Sequence, residues 1–158
     1  MTMPAVGGPA PEFDLEDQDG KHVRLDSLRG QWVVLYFYPR DNTPGCTREA
    51  CNFRDNFGAI KALGAQILGV SGDSRASHEK FAEKFQLPFP LLVDADHAVA
   101  RAYGAFGTKK NYGREYEGII RSTVIIDPRG NVARTYPRVK PDSHGEEVLT
   151  WLEEHARA

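Results

Sequence analysis

Apolar positions along the chain fall in short blocks whose spacing switches between strand and helix periods. Phe13 and Leu15, then Val23 and Leu25, alternate with polar residues on either side of Asp19-Gly20, which predicts a hairpin over residues 11–28. Gln31 to Tyr38 is a nearly unbroken apolar and β-branched run, the pattern of a central strand covered on both faces. Residues 39–45 are turn-forming, and a helical pattern then runs to Leu63, with Gly64 placed as its C-terminal glycine. Ala65 to Ser71 predicts a second buried strand. Asp73 or Ser74 can cap the next helix, whose Phe81 and Phe85 share a face before Pro88 stops it.

Phe89 to Val93 predicts a third strand, and Asp94 or Asp96 opens a short helix ending at Gly104. Residues 105–118 read as a loop whose Lys109, Lys110 and Arg114 form a solvated basic face. Ser122 to Ile126 and Val132 to Tyr136 form a hairpin around Asp127-Pro-Arg-Gly-Asn131. Ser143 and Glu146 make a capping box for a last helix carrying Val148, Leu149 and Leu152. The alternation calls for an α/β fold: a mixed central sheet with helices on both faces. With its N-terminal β-hairpin extension and closing hairpin and helix, the order is thioredoxin-like. No repeat or linker divides the chain, so residues 1–158 read as a single domain.

Composition narrows the function. Of 158 residues, 41% are hydrophobic and 27% charged, too apolar for a disordered chain. The formal net charge of -2 offers no electrostatic footprint for nucleic acid or an anionic membrane. The longest strongly apolar run, Trp32 to Tyr38, is far short of the ~20 residues that span a bilayer. The start, Met-Thr-Met-Pro-Ala-Val-Gly-Gly, has neither a basic stretch nor an apolar core, so no secretory signal is expected. Two cysteines cannot build a disulfide framework, and the reducing cytoplasm is the expected compartment.

Those two thiols carry the candidate chemistry. If Thr43 is the N-cap, Pro44 takes the first helical position and Cys46 the third, among unpaired backbone N–H groups at the positive end of the helix dipole. Such a position favours thiolate over thiol, and thiolate is the nucleophile. The competing reading is a small buried hydrophobe. Against that reading stand the loop junction and the polar neighbours Thr43, Thr47 and Arg48.

Cys51 lies five residues on. On an intact helix the two Cα atoms are roughly 8–9 Å apart, beyond the ~4.4–6.8 Å of a disulfide. Bonding requires the first turn to unwind. That suits a cycle in which Cys46 reacts folded and is captured by Cys51 after local unfolding. A Cys51 that only packs in the core is the open alternative.

Other uses of paired cysteines fit poorly. A C-x4-C pair is at the edge of zinc spacing and needs two more ligands. His22, His78, His97, His144 and His155 are scattered without a paired spacing, and each reads as a surface or capping histidine. A thioredoxin-type dithiol needs C-x-x-C, which is missing. No metal and no cofactor is expected.

The segment from Phe37 to Cys51 resembles the active-site stretch of the peroxiredoxins. Their pattern Pro-x-x-x-Thr/Ser-x-x-Cys is met by Pro39, Thr43 and Cys46. The second cysteine five residues on is similar to the peroxiredoxin Q, or bacterioferritin comigratory protein, group. Further likeness lies in Ala10-Pro-x-Phe13-x-Leu15, Tyr112-Gly113, Tyr116-x-Gly118-Ile119 and Arg121-Ser-Thr123-Val-Ile-Ile-Asp127. Arg40 and Val124 are minor departures away from catalytic positions.

The resemblance implies a thiol-dependent peroxidase acting on hydrogen peroxide and organic hydroperoxides, in antioxidant defence. It makes Cys46 the peroxidatic cysteine, which becomes a sulfenic acid, and Cys51 the resolving cysteine of an intramolecular disulfide. Thr43 would offer its hydroxyl to the thiolate or the peroxide. Arg121, on a later strand, would stabilise the thiolate and polarise the peroxide, and Pro39 would shield the pocket from water. Thioredoxin or a similar dithiol is the implied reductant, and the implied assembly is a monomer. A redox sensor that relays oxidation to a partner, or a binding module with inert cysteines, are the alternatives.

Overall fold

The computed structural model describes residues 3–156. Its centre is a five-stranded sheet made of β3 (Trp32–Phe37), β4 (Ala65–Ser71), β5 (Leu91–Val93), β8 (Ser122–Ile126) and β9 (Val132–Tyr136). Across the sheet the order is β5-β4-β3-β8-β9. The first three pair in parallel, while β8 joins β3 and β9 antiparallel, so the sheet is mixed. Strand alternation divides β3 between two cores. Val34, Tyr36 and Tyr38 point into one, with residues of α1 (Pro44–Ala62), α2 (Arg75–Phe85) and α4 (His144–His155). Val33, Leu35 and Phe37 point into the other, covered by Leu25, Ala100 of α3 (Ala98–Ala102) and the N-terminal segment. This is the thioredoxin-like arrangement expected from the pattern, with helices on both faces. No helix is long and apolar enough to cross a membrane among the described residues.

The predicted boundaries hold where local chemistry sets them. The N-terminal hairpin pairs β1 (Asp14–Glu16) with β2 (His22–Arg24). α1 begins with Thr43 at its N-cap and Pro44 in its first turn, and Gly64 follows the C-cap with φ +79. Ser74 caps α2 by accepting a 3.1 Å bond from the Ser77 amide. Asp94 reaches past His97 to accept from the Val99 and Ala100 amides, which delays α3 to Ala98.

Three expectations are corrected. Residues 105–118 are not a loop: β6 (Phe106–Asn111) and β7 (Arg114–Ile119) form a hairpin that turns at Tyr112-Gly113, both with positive φ. Its outer part is solvated and charged, so it lacks the apolar alternation that marks a strand. Ser143 makes no capping bond. Instead Asn52 of α1 accepts from the Gly145 amide at 2.6 Å, and the backbones approach so closely that a Cβ at Gly145 would lie 2.8 Å from the Asn52 carbonyl oxygen. Finally, His78 and His144 are interior rather than surface residues, at 0% and 1% exposure. Each ring has both nitrogens partnered: His78 with Asp41 and the Leu92 carbonyl, His144 with Glu147 and Thr123.

Candidate active site

The site forms where the parallel strand β3 ends and the chain turns into α1. Because α1 starts at Pro44, Cys46 occupies its first turn, where the backbone N–H groups have no helical acceptor. The side chain is 2% exposed. Arg121 reaches it from the short connection between β7 and β8, rather than from within a strand as expected. Its Nη2 donates to Cys46 Sγ at 3.2 Å, and its Nη1 donates to Glu49 Oε1 at 2.7 Å. The backbone is held in turn by the Val139 amide, which donates to the Arg121 carbonyl at 3.0 Å. Gly45 makes room for the guanidinium: a Cβ there would lie 3.1 Å from Nη2.

Electrostatics couples the three groups. Glu49 is fully buried, and burial pushes its carboxyl up to about 7 against the pull of the Arg121 charge. Burial also works against the guanidinium charge, but Glu49 and Cys46 more than offset it and hold Arg121 above the ordinary arginine value. Glu49 Oε2 and the Tyr36 hydroxyl are buried with no hydrogen-bond partner among the described residues. Burial, then the Glu49 and Cys46 charges, keep the Tyr36 phenol well above its ordinary value, so it is neutral.

In front of Arg121 opens a cavity of about 710 Å³. Pro39, Ile120 and Val139 give it apolar wall, while Lys109, Arg121 and Arg138 give it positive charge. Lys109 is the second correction to the basic cluster, because it is half-buried here rather than solvated. Its ammonium donates to the Ile119 carbonyl at 2.9 Å, and burial followed by the Arg121 charge pulls it below the ordinary lysine value.

Of the sequence candidates, Cys46, Arg121 and Pro39 meet at this cavity or directly behind it. Thr43 is adjacent, but its hydroxyl donates to the Arg40 carbonyl at 2.9 Å rather than toward sulfur. Cys51 is half-buried on the unbroken α1, and both cysteines are free thiols. Glu49 was not singled out by sequence reasoning. Its position three residues after Cys46, hence on the same helical face, was the available signal.

The AhpC/TSA family model matches residues 6–135. Peroxiredoxin Bcp of Bacillus subtilis is 46% identical over 154 residues, covering 98% of both chains. Peroxiredoxin Bcp of Escherichia coli K12 is 44% identical over 156 residues, covering 99% of this chain and 100% of the other. The structure of the Xanthomonas campestris bacterioferritin comigratory protein superposes with a TM-score of 0.90 at 37% identity, over 97% of this chain and 100% of that one. The chain therefore belongs to the AhpC/TSA family and is a peroxiredoxin, a thiol peroxidase, of the Bcp/Q group.

Proposed function

We propose that the whole chain works as one peroxidase domain in which Cys46 is the peroxidatic and Cys51 the resolving cysteine. The observation that carries this reading is the Arg121 guanidinium, 3.2 Å from Cys46 Sγ at the back of an open cavity. A peroxide is small and uncharged, so rate must come from positioning and from donors fixed where charge develops. The Cys46 thiolate attacks one peroxide oxygen. The S–O bond forms as O–O breaks, and the leaving oxygen takes a proton to become water or an alcohol. Arg121 serves both atoms because its fork keeps its charge and presents several donors. Glu49 fixes the orientation of that fork. Thr43 joins by turning its hydroxyl from the Arg40 carbonyl toward the incoming oxygen, and Pro39 walls the cavity against water.

The resulting Cys46 sulfenic acid condenses with the Cys51 thiol, forming S–S and releasing water. A protein dithiol of the thioredoxin type then reduces the disulfide to two thiols while its own sulfurs become a disulfide. Prompt capture by Cys51 limits further oxidation to sulfinic acid. The substrates are hydrogen peroxide and alkyl hydroperoxides. The cavity accommodates an alkyl chain, and the Xanthomonas relative's structure is described with alkyl peroxide reduction activity. The cycle belongs in the cytosol, where dithiol reductants keep thiols reduced. It needs one chain, and the large exposed hydrophobics among the described residues are only Val6, Tyr112 and Tyr116.

The test is a thiol count and intact mass before and after one equivalent of hydrogen peroxide. Loss of both thiols, a mass drop of about two hydrogens and no dimer is the expected result. Cys46→Ser abolishes turnover, while Cys51→Ser keeps the first oxidation and loses dithiol-driven cycling. Full dithiol-dependent activity in Cys46→Ser would refute the assignment.

A further inference from the structure

We propose that the buried Asp41–His78 pair anchors the Pro39–Thr43 loop in its peroxide-competent shape, making His78 a positioning residue for the first chemical step. The proposal rests on the reading of Cys46 as the attacking sulfur.

Asp41 sits in the loop that spans from Pro39 to Thr43, yet it is only 8% exposed. Its Oδ1 accepts from the Tyr38 hydroxyl. Its Oδ2 accepts from the Ser77 hydroxyl at 2.8 Å and faces His78 Nδ1 at 2.7 Å. The other ring nitrogen, Nε2, reaches the Leu92 carbonyl at 2.8 Å. A carbonyl only accepts, so Nε2 carries a hydrogen. The Asp41 amide donates to Asp73 Oδ2 at 2.8 Å, an oxygen that also accepts from the Ser71 hydroxyl at 2.7 Å. One loop residue is thereby tied to the ends of β3 and β4, to α2 and to β5.

The tie also sets the conformation of the next two residues. Asn42 takes a left-handed conformation, φ 58, and its Oδ1 accepts from Lys84 of α2 at 3.3 Å. Thr43 then folds back on the Arg40 carbonyl and starts α1. Cys46 is thus aimed at Arg121 from a loop fastened at its middle.

Stability alone does not account for the network. A buried charged pair is weak evidence for stability, since desolvation opposes the attraction, whereas a fully satisfied network specifies one arrangement. Apolar packing already holds α2 through Phe81, which is buried in the core with its ring against Tyr38. Asp41, Asp73 and His78 also present ligand-type atoms within 4.8 Å of one another, but the donors and acceptors just described already engage them. The anchor further sets where unwinding starts. For Cys46 to meet Cys51, α1 must open after Thr43, and a fastened loop gives it a fixed edge to refold against.

The full chain is mixed with hydrogen peroxide, quenched over time and weighed intact, which separates the sulfenic acid from the disulfide. His78→Gln is expected to slow the peroxide-dependent step by about tenfold or more, a cost typical of small misplacements, with disulfide formation unchanged or faster. Ser77→Ala, which removes one partner of Asp41, moves the same ratio by a smaller factor. Phe85→Leu, on the same helix but outside the network, leaves the ratio at the wild-type value. Should His78→Gln fail to fold, Ser77→Ala decides. A wild-type peroxide step in the folded variants overturns the anchor, as does equal slowing of both steps or the same split in Phe85→Leu. A wild-type Cys46 that peroxide does not oxidise would instead overturn the peroxidatic reading itself.

Discussion

Glu49→Gln isolates the buried carboxyl of the site. The substitution keeps the side chain's shape and a hydrogen-bonding oxygen for Arg121 while removing the charge. In the folded chain the Glu49 carboxyl rises from 4.5 to about 7. Folding therefore makes the protonated form relatively more favourable, and the sign follows. Below pH 4.5 the carboxyl holds its proton folded or unfolded, so Glu49 has no pH effect there. Between 4.5 and about 7 the unfolded chain releases a proton that the folded chain keeps, so stability falls as pH rises. Above that window the cost is complete. Each tenfold change in proton affinity is about 1.4 kcal/mol, which makes the full cost on the order of 3 kcal/mol.

Urea unfolding at closely spaced pH values measures it, followed by the fluorescence of Trp32 and Trp151, whose rings meet edge-on at 5.8 Å. Glu49→Gln is neutral at every pH, so subtracting its curve from wild type removes the other titrating groups. The difference should decline through the window and level off above about pH 7. A difference that stays flat across the window and beyond it would show that Glu49 titrates as an ordinary carboxyl, with the Arg121 charge fully offsetting burial, and the dominance of burial would be wrong.

Two further substitutions test the geometry around Arg121. Arg121→Lys keeps the charge but loses the fork that bridges Cys46 and Glu49, so the peroxide step should slow by about a hundredfold in rapid-quench measurements. A rate within a factor of about two of wild type would mean that charge alone suffices. Gly45→Ala should separate stability from activity. Alanine in a helical position is worth about 0.5–1 kcal/mol over glycine, yet its Cβ would stand 3.1 Å from Arg121 Nη2 and displace it by a few tenths of an ångström. A higher Tm with a several-fold slower peroxide step is expected, and an unslowed step would refute the close fit.

What the sequence conveyed depended on how far each element's environment is local. β3 and β4 were legible because strands covered on both faces must be apolar throughout, as the buried run Val33 to Tyr38 is. Cys46 was legible because Pro44, which fits the first turn of a helix and not its interior, marks where α1 starts. The β6–β7 hairpin was not, since Lys110, Arg114, Glu115 and Glu117 face solvent and leave no apolar alternation. The start of α4 depends on Asn52 from another helix, a contact with no local trace. Arg121 shows the same limit within the site. Its place in the sequence gives it no role, and only the family resemblance singles it out. Its partners, buried Glu49 and Cys46, lie on α1, seventy-two and seventy-five residues away. His78 read as a surface histidine because its partners come from a loop and a strand, thirty-seven and fourteen residues away.

The same buried carboxyl bears on the second half of the cycle. Joining Cys46 to Cys51 requires the first turns of α1 to open, which breaks the Arg121 contacts with Cys46 and Glu49 and the exposed Arg48–Asp142 pair at 2.6 Å. The helix start resists little, because Thr43 makes no side-chain capping bond and Gly45 follows Pro44. Opening brings Glu49 toward solvent and returns its carboxyl to the ordinary range. Between pH 4.5 and about 7 the open form therefore releases a proton that the closed form holds, and opening becomes easier as pH rises. Disulfide formation from the sulfenic acid should accelerate across that window in wild type. In Glu49→Gln that component should vanish. Time-resolved intact mass after a single peroxide pulse measures both curves. Identical pH dependence in the two proteins would mean that Glu49 stays buried while the cysteines join, and that the helix opens only as far as Arg48.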